Sequence, residues 1–151
     1  MIPALLLIAA QPTAAAAAIG TFVGACVPGV ADPAAFANAA TQLGYVEVER
    51  RGRGALFRAG AAELLHMPSE SCTLRVSLAT TEEAVTVINR VSTALELPAP
   101  GAIAMHPPGW TTYRWPNQNG ARPRFYLAAE TRIDHEGAVS LDLAIHRGPA
   151  Q

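Results

Sequence analysis

The feature that most constrains the fold of this chain is a pair of alternating segments near its C-terminus. Apolar and polar residues alternate over 125–133 and again over 139–145, which is typical of strands with one buried face. The loop His135-Glu136-Gly137 joins them and places a glycine where a tight turn needs positive φ. We predict a hairpin in which Ala129 lies opposite Leu143. A one-residue slip would oppose apolar and polar side chains, so the pattern fixes this register.

Two helices are predicted upstream of the hairpin. Asp32-Pro33 is a typical helix start, because Asp caps free N–H groups and Pro fits the first helical position. Helical spacing of apolar residues then continues over 33–43. The stretch Thr80-Thr81-Glu82-Glu83 has the pattern of a capping box, and an apolar stripe extends this helix to about Leu97, where Pro98 ends it. Further strands are expected at 45–49, 55–58, 63–66 and 72–78.

These elements predict an α+β fold. Two helices would pack on one face of an antiparallel sheet of about five or six strands, which ends in the C-terminal β-hairpin.

The N-terminus has the order of an export signal. An apolar run at 5–10 is followed by a polar break and then by small residues at 14–18, with no charged side chain. We therefore expect 1–18 to be a cleaved signal peptide and 19–151 a single α+β domain, periplasmic or secreted. No basic residue precedes the apolar run, which leaves open an Ala-rich helix that stays on the protein. The run is shorter than the roughly 20 residues that span a bilayer, so we expect no transmembrane segment after signal removal.

The two cysteines predict one disulfide in an oxidising compartment. Linking Cys26 to Cys72 would stabilise the fold by about 4 kcal/mol in the chain-entropy model. The alternative is lipidation, since Val23-Gly24-Ala25-Cys26 resembles the lipobox that precedes the modified cysteine of bacterial lipoproteins. That reading would leave Cys72 unpaired.

The charge balance argues against a nucleic-acid partner. The formal net charge is −1, which gives no overall attraction to nucleic acid or anionic lipid. All eleven basic residues are arginine, and arginine forms better bidentate contacts to carboxylate or phosphate than lysine does. The chain is also rich in Ala, Gly and Pro, and codon composition alone can produce such a bias.

Two segments are candidate binding sites. The first is aromatic and amide-rich. Rings on an exposed loop or edge strand can stack on sugars or peptide side chains. The alternative is that a tryptophan fills one end of the core. Its candidate residues are Trp110, Tyr113, Arg114, Trp115 and Asn117. The second is a basic turn that could bind an anionic partner such as a phosphate-bearing lipid or polysaccharide, or be solvated and internally paired. Its candidate residues are Arg50, Arg51 and Arg53.

The signals for catalysis are weaker. The hairpin register places Glu130 across from Asp142, and paired carboxylates can act as general acid and base. Arg132 would offset the repulsion between the two carboxylates. The alternative interpretation is therefore that Glu130 and Asp142 are ordinary surface charges. No zinc-ligand spacing, nucleophile elbow, phosphate loop or dinucleotide fingerprint occurs. We therefore name no catalytic residue, no metal ligand and no cofactor.

The leading functional hypothesis is an exported, non-catalytic domain that binds an unknown protein or a cell-envelope polymer through the aromatic segment. Alternatives are a small exported hydrolase that uses the carboxylate pair or a histidine, and a lipid-anchored accessory module of an envelope assembly. The sequence does not fix the oligomeric state.

Overall fold

The computed structural model describes residues 13–105, 108–116 and 125–148. These ranges form one eight-stranded antiparallel sheet with helices packed on one face. The first helix, α1, has three consecutive segments: α-helical Ala14–Thr21, π-helical Phe22–Cys26 and a last turn at Val27–Gly29. Helix α2 is Pro33–Gln42 and helix α3 is Thr81–Ala94. The strands are β1 (Val46–Arg51), β2 (Gly54–Ala59), β3 (Ala62–Met67), β4 (Ser71–Leu78), β5 (Gly101–Met105), β6 (Trp110–Arg114), β7 (Phe125–Ile133) and β8 (Val139–Arg147).

The prediction of five or six strands and two helices is wrong: the sheet has eight strands and three helices pack on it. Strands β5 and β6 were missed, and β5 lies at the edge of the sheet. All five residues of β5 are exposed, so no alternation of apolar and polar residues marks it. Helix α1 was not counted among the predicted helices, because its alanine-rich start also fits the end of an export signal and an Ala-rich helix was kept only as the alternative.

The sheet consists of two four-stranded meanders that meet at its centre. The strand order is β1-β2-β3-β4-β8-β7-β6-β5. Strands β4 and β8 pair over eight residues, from Ser71 opposite His146 to Leu78 opposite Val139. Helices α1 and α2 precede the first meander and α3 precedes the second. Each half of the chain thus places its helices before four consecutive strands.

The predicted hairpin register is confirmed. Ala129 lies opposite Leu143. The Asp134 N–H donates to the Ala138 carbonyl oxygen over 3.0 Å, which leaves a three-residue loop. Gly137 in that loop has a φ of +84°, a conformation that a side chain makes costly.

The two predicted helices and their caps are also confirmed. An Asp32 carboxylate oxygen accepts from the N–H groups of the second and third helical residues of α2. The Thr80 hydroxyl oxygen accepts from the Glu83 N–H over 3.2 Å, and the Glu83 carboxylate accepts from the Ala79 N–H. Helix α3 ends at Ala94, before the predicted end, because the chain reverses at Glu96 with a φ of +56°.

The core lies between the helices and the sheet face that they cover. Alternate residues of β4 and β8 point into it, as the sequence pattern predicted. We call the opposite surface of the sheet the far face. The largest fully buried side chains are Phe22, Phe36, Leu64, Leu74, Ile88, Leu141, Leu143, Val30, Val87, Val91, Cys26 and Cys72.

A disulfide joins Cys26 in the π-helical segment of α1 to Cys72 in β4. Their Cα atoms lie 5.2 Å apart, and neither residue is exposed to solvent. The bond fastens the first helix to a central strand across 46 residues of chain. Because the Cys26 sulfur is engaged here and buried, the lipidation alternative has no free thiol to act on.

Part of the segment predicted to be a signal peptide belongs to helix α1. The Thr13 hydroxyl oxygen accepts from the Ala16 N–H over 3.1 Å and so caps the helix. Ala18 is 4% exposed and packs in the core. Cleavage of 1–18 stays a prediction. Within 13–105, 108–116 and 125–148, no helix is long and apolar enough to cross a membrane.

Candidate functional site

A row of charged side chains crosses the middle of the far face, and we call it the charge ladder. Its members, in register order across five strands, are Arg58, Glu63, Arg75, Asp142 and Glu130. Nε of Arg58 lies 3.1 Å from Oε1 of Glu63. Arg75 donates two hydrogen bonds to Asp142, of 2.7 and 2.8 Å, and these bonds raise the pKa of the guanidinium. Such partly exposed pairs contribute about 0–1 kcal/mol each.

The pairing of Glu130 with Asp142 is confirmed by the register of β7 and β8. Arg132 lies between the two carboxylates, with Nη2 3.5 Å from Oε2 of Glu130 and 3.4 Å from Oδ2 of Asp142. Arg75 binds Asp142 from the neighbouring strand. Because two guanidinium groups hold the two carboxylates, neither is placed as a free acid or base. We assign no catalytic role to this pair.

The aromatic segment forms strand β6, and its side chains alternate between the two faces of the sheet. Trp110 and Arg114 belong to the far face, where the Arg132 guanidinium carbon lies 4.1 Å from the centre of a Trp110 ring. Tyr113 belongs to the helix face and is 6% exposed. The rings therefore do not share one surface. Asn117, which was predicted to bind with them, lies outside the described residues.

Trp115 fills the core beneath helix α3. It is 5% exposed, and its Nε1–H donates to the Ser92 hydroxyl oxygen over 2.8 Å. The same hydroxyl donates to the Ile88 carbonyl oxygen over 2.8 Å. This matches the alternative in which a tryptophan closes one end of the core. We propose no ligand contact for Trp115 or for Tyr113.

A groove of about 250 Å³ lies between helix α2 and strands β1–β3, and we call it the α2 groove. It is smaller than the pockets of about 300–1,000 Å³ that enclose drug-sized ligands, so it has room for one ring-sized group. The residues that line it are Pro33, Phe36, Ala37, Thr41, Glu47, Arg50, Arg53, Ala55, Phe57, His66 and Pro68.

The floor of the α2 groove is aromatic. The rings of Phe36 and His66 stack with their centroids 3.7 Å apart, and Phe57 meets Phe36 edge-on at 5.1 Å. Phe36 and His66 are almost fully buried, whereas Phe57 is partly exposed. Phe57 is therefore the ring that a ligand in the groove would touch.

His66 is a neutral part of this floor. Its Nε2 lies 3.1 Å from the Gly29 carbonyl oxygen, and a carbonyl only accepts, so Nε2 carries the proton. Burial lowers the pKa of His66, and the Gly29 hydrogen bond opposes this effect only in part. The sequence does contain a signal for the burial of His66. It lies two residues after the buried Leu64 on β3, so the two side chains point to the same face of the sheet.

Arginines form the rim of the groove. Arg50 lies 2.8 Å from the Glu47 carboxylate, and both line the groove. Arg53, in the turn between β1 and β2, has no ion pair with any of the residues the structure describes. Arg51 pairs with Glu49 instead, and neither lines the groove. The predicted cluster therefore splits: Arg50 and Arg53 come together at the groove and Arg51 does not.

The chain matches no protein-family model, no curated protein and no solved structure. Among the residues described here, no group of three His, Cys, Asp or Glu side chains is placed to hold a metal ion. His106 lies outside those residues. We take the α2 groove as the candidate site, because aromatic and arginine side chains line it together.

Proposed function

We propose that this protein is an exported, non-catalytic module that binds an acidic sugar unit of an envelope polysaccharide in the α2 groove. The observation that carries the proposal is the combination of an aromatic floor with two arginines at the rim. Sugar rings pack their apolar faces on aromatic side chains, and guanidinium groups bind carboxylates in bidentate geometry. A ring-sized acid satisfies both features at once.

Arg53 is the main anion contact in this proposal. Its guanidinium offers five N–H donors, and the described residues supply no carboxylate to occupy them. Arg50 is already bound to Glu47, so its remaining donors would add a second contact. A hydrogen bond to a charged group contributes about 1.5–3 kcal/mol. That is roughly a tenfold to hundredfold change in affinity, since about 1.4 kcal/mol is tenfold.

The disulfide supports the export part of the proposal. Disulfides persist in secreted and periplasmic proteins and are rare in the reducing cytosol. The cap at Thr13 and the burial of Ala18 favour processing before Thr13 over processing after Ala18, because the later site would remove residues that pack in the core.

The binding proposal is tested by NMR titration of the disulfide-bonded protein with trigalacturonate, an acidic trisaccharide. We expect the amide signals of Ala55 and Phe57 to shift. Maltotriose, which is neutral, is the control ligand and is expected to cause no shift. Arg53→Ala is expected to weaken the binding of trigalacturonate at least tenfold.

Arg90→Ala is the matched control variant, because Arg90 is exposed on helix α3, away from the groove. It removes the same charge and is expected to leave affinity unchanged. Equal losses in Arg53→Ala and Arg90→Ala would mean that net charge alone attracts the sugar. That result, or no binding by the parent protein, would refute the proposed site.

A further inference from the structure

The two edges of the sheet are built differently. Strand β1 at one edge carries four charged residues, and a bulge interrupts its pairing between Glu47 and Glu49. Charges and bulges are the usual devices that keep an edge strand from pairing with another chain. Strand β5 at the other edge has the sequence Gly-Ala-Ile-Ala-Met, without a charge, and pairs with β6 over five regular positions. The second edge lacks the protection of the first.

Strand β5 also exposes apolar side chains. Ile103 is 44% exposed and Met105 is 43% exposed, and both belong to the far face. An uncharged edge strand with exposed apolar residues is suited to pair with a further strand, because its outward N–H and C=O groups have no partner within the sheet.

The sequence of β5 is complementary to itself in antiparallel pairing. If Ile103 lies on the twofold axis, Ile103 faces its own copy and Ala102 faces Ala104. Met105 then faces Gly101, where the absence of a side chain leaves room for the long thioether. Cross-strand neighbours of this kind lie about 4.5–5.5 Å apart at Cβ. No charge is brought against a like charge in any of these pairs.

We propose that two copies of this chain associate through antiparallel β5–β5 pairing centred on Ile103, which joins their sheets into one. The interface is isologous, as in most homodimers. A five-residue edge is much smaller than the roughly 1,200–2,000 Å² interfaces of stable complexes. The dimer is therefore weak and its population rises with protein concentration.

The first test is sedimentation equilibrium of the disulfide-bonded protein over a range of concentrations up to about the millimolar level at which weak complexes form. We expect a reversible monomer–dimer equilibrium. Ile103→Lys places two ammonium groups opposite each other and is expected to weaken dimerisation at least tenfold. The matched control is Val48→Lys, since Val48 is a 49% exposed residue on the other edge; it is expected to leave dimerisation unchanged.

The second test reads the register directly. Ile103→Cys brings two thiols together at a Cα separation of about 4.5–5.5 Å, which a disulfide can span. We expect mild oxidation to give a covalent dimer. Met105→Cys is the control, because its two copies would lie about 13 Å apart along the strands and should not cross-link. A protein that is monomeric at every concentration, a dimer that survives Ile103→Lys, or equal cross-linking by both cysteine variants would overturn the proposal.

Discussion

Replacing both cysteines by alanine removes the disulfide cross-link between helix α1 and strand β4. The loop closed by Cys26 and Cys72 spans 46 residues, and the chain-entropy model gives about 4 kcal/mol for a loop of this length. Both sulfurs are fully buried, so their deletion also leaves space in the core, at a cost of roughly 1 kcal/mol each. We expect the double alanine variant to lose about 6 kcal/mol, which is a large share of the 5–15 kcal/mol typical of a domain.

Urea denaturation measures this loss, and the reduced parent protein is its control. Reduction breaks the cross-link but keeps both sulfur atoms in the core, so it isolates the chain-entropy contribution. We expect the reduced protein to lose about 4 kcal/mol, which lowers the midpoint by about 2 M at a typical urea slope of roughly 2 kcal/mol/M. The reasoning is refuted if reduced and oxidised proteins differ by less than about 1 kcal/mol.

Two further predictions concern buried and partly buried polar groups. Trp115→Phe removes the donor to the Ser92 hydroxyl and is expected to destabilise the fold by about 1–2 kcal/mol. The same change at the partly exposed Trp110 should lower the free energy of unfolding by less. Equal losses for the two variants in urea denaturation would contradict the buried hydrogen bond. Burial lowers the pKa of His66 and of His146, so the unfolded state binds more protons as pH falls through about 6.5. The urea concentration at the unfolding midpoint should therefore be lower at pH 5.5 than at pH 7.5. An unchanged or higher midpoint at pH 5.5 would contradict this linkage.

The parts of the fold that the sequence predicts are those fixed by local chemistry. The β7–β8 register follows from alternation and from a glycine at the turn, and the starts of α2 and α3 follow from capping residues. Each of these signals lies within a few residues of the element that it defines, and tertiary packing did not override it.

The parts that could not be predicted depend on contacts far apart in the chain. Strand β5 is visible only through its pairing with β6, because none of its residues is buried. Trp110 and Trp115 lie five residues apart, on opposite faces of the sheet. Which of the two rings is exposed depends on whether the aromatic segment forms a loop or a strand. The α2 groove joins residues of α2 to residues of β1–β3, and no local pattern brings these together.

The measurement that tests the account most directly is the intact mass of the protein recovered from its native host. We expect a chain that has lost an N-terminal segment ending before Thr13 and whose mass is two hydrogens below that of the free-thiol form. Such a mass would show both processing for export and the Cys26–Cys72 bond. A full-length chain with both thiols free would contradict export, and with it the proposal that the ligand belongs to the cell envelope.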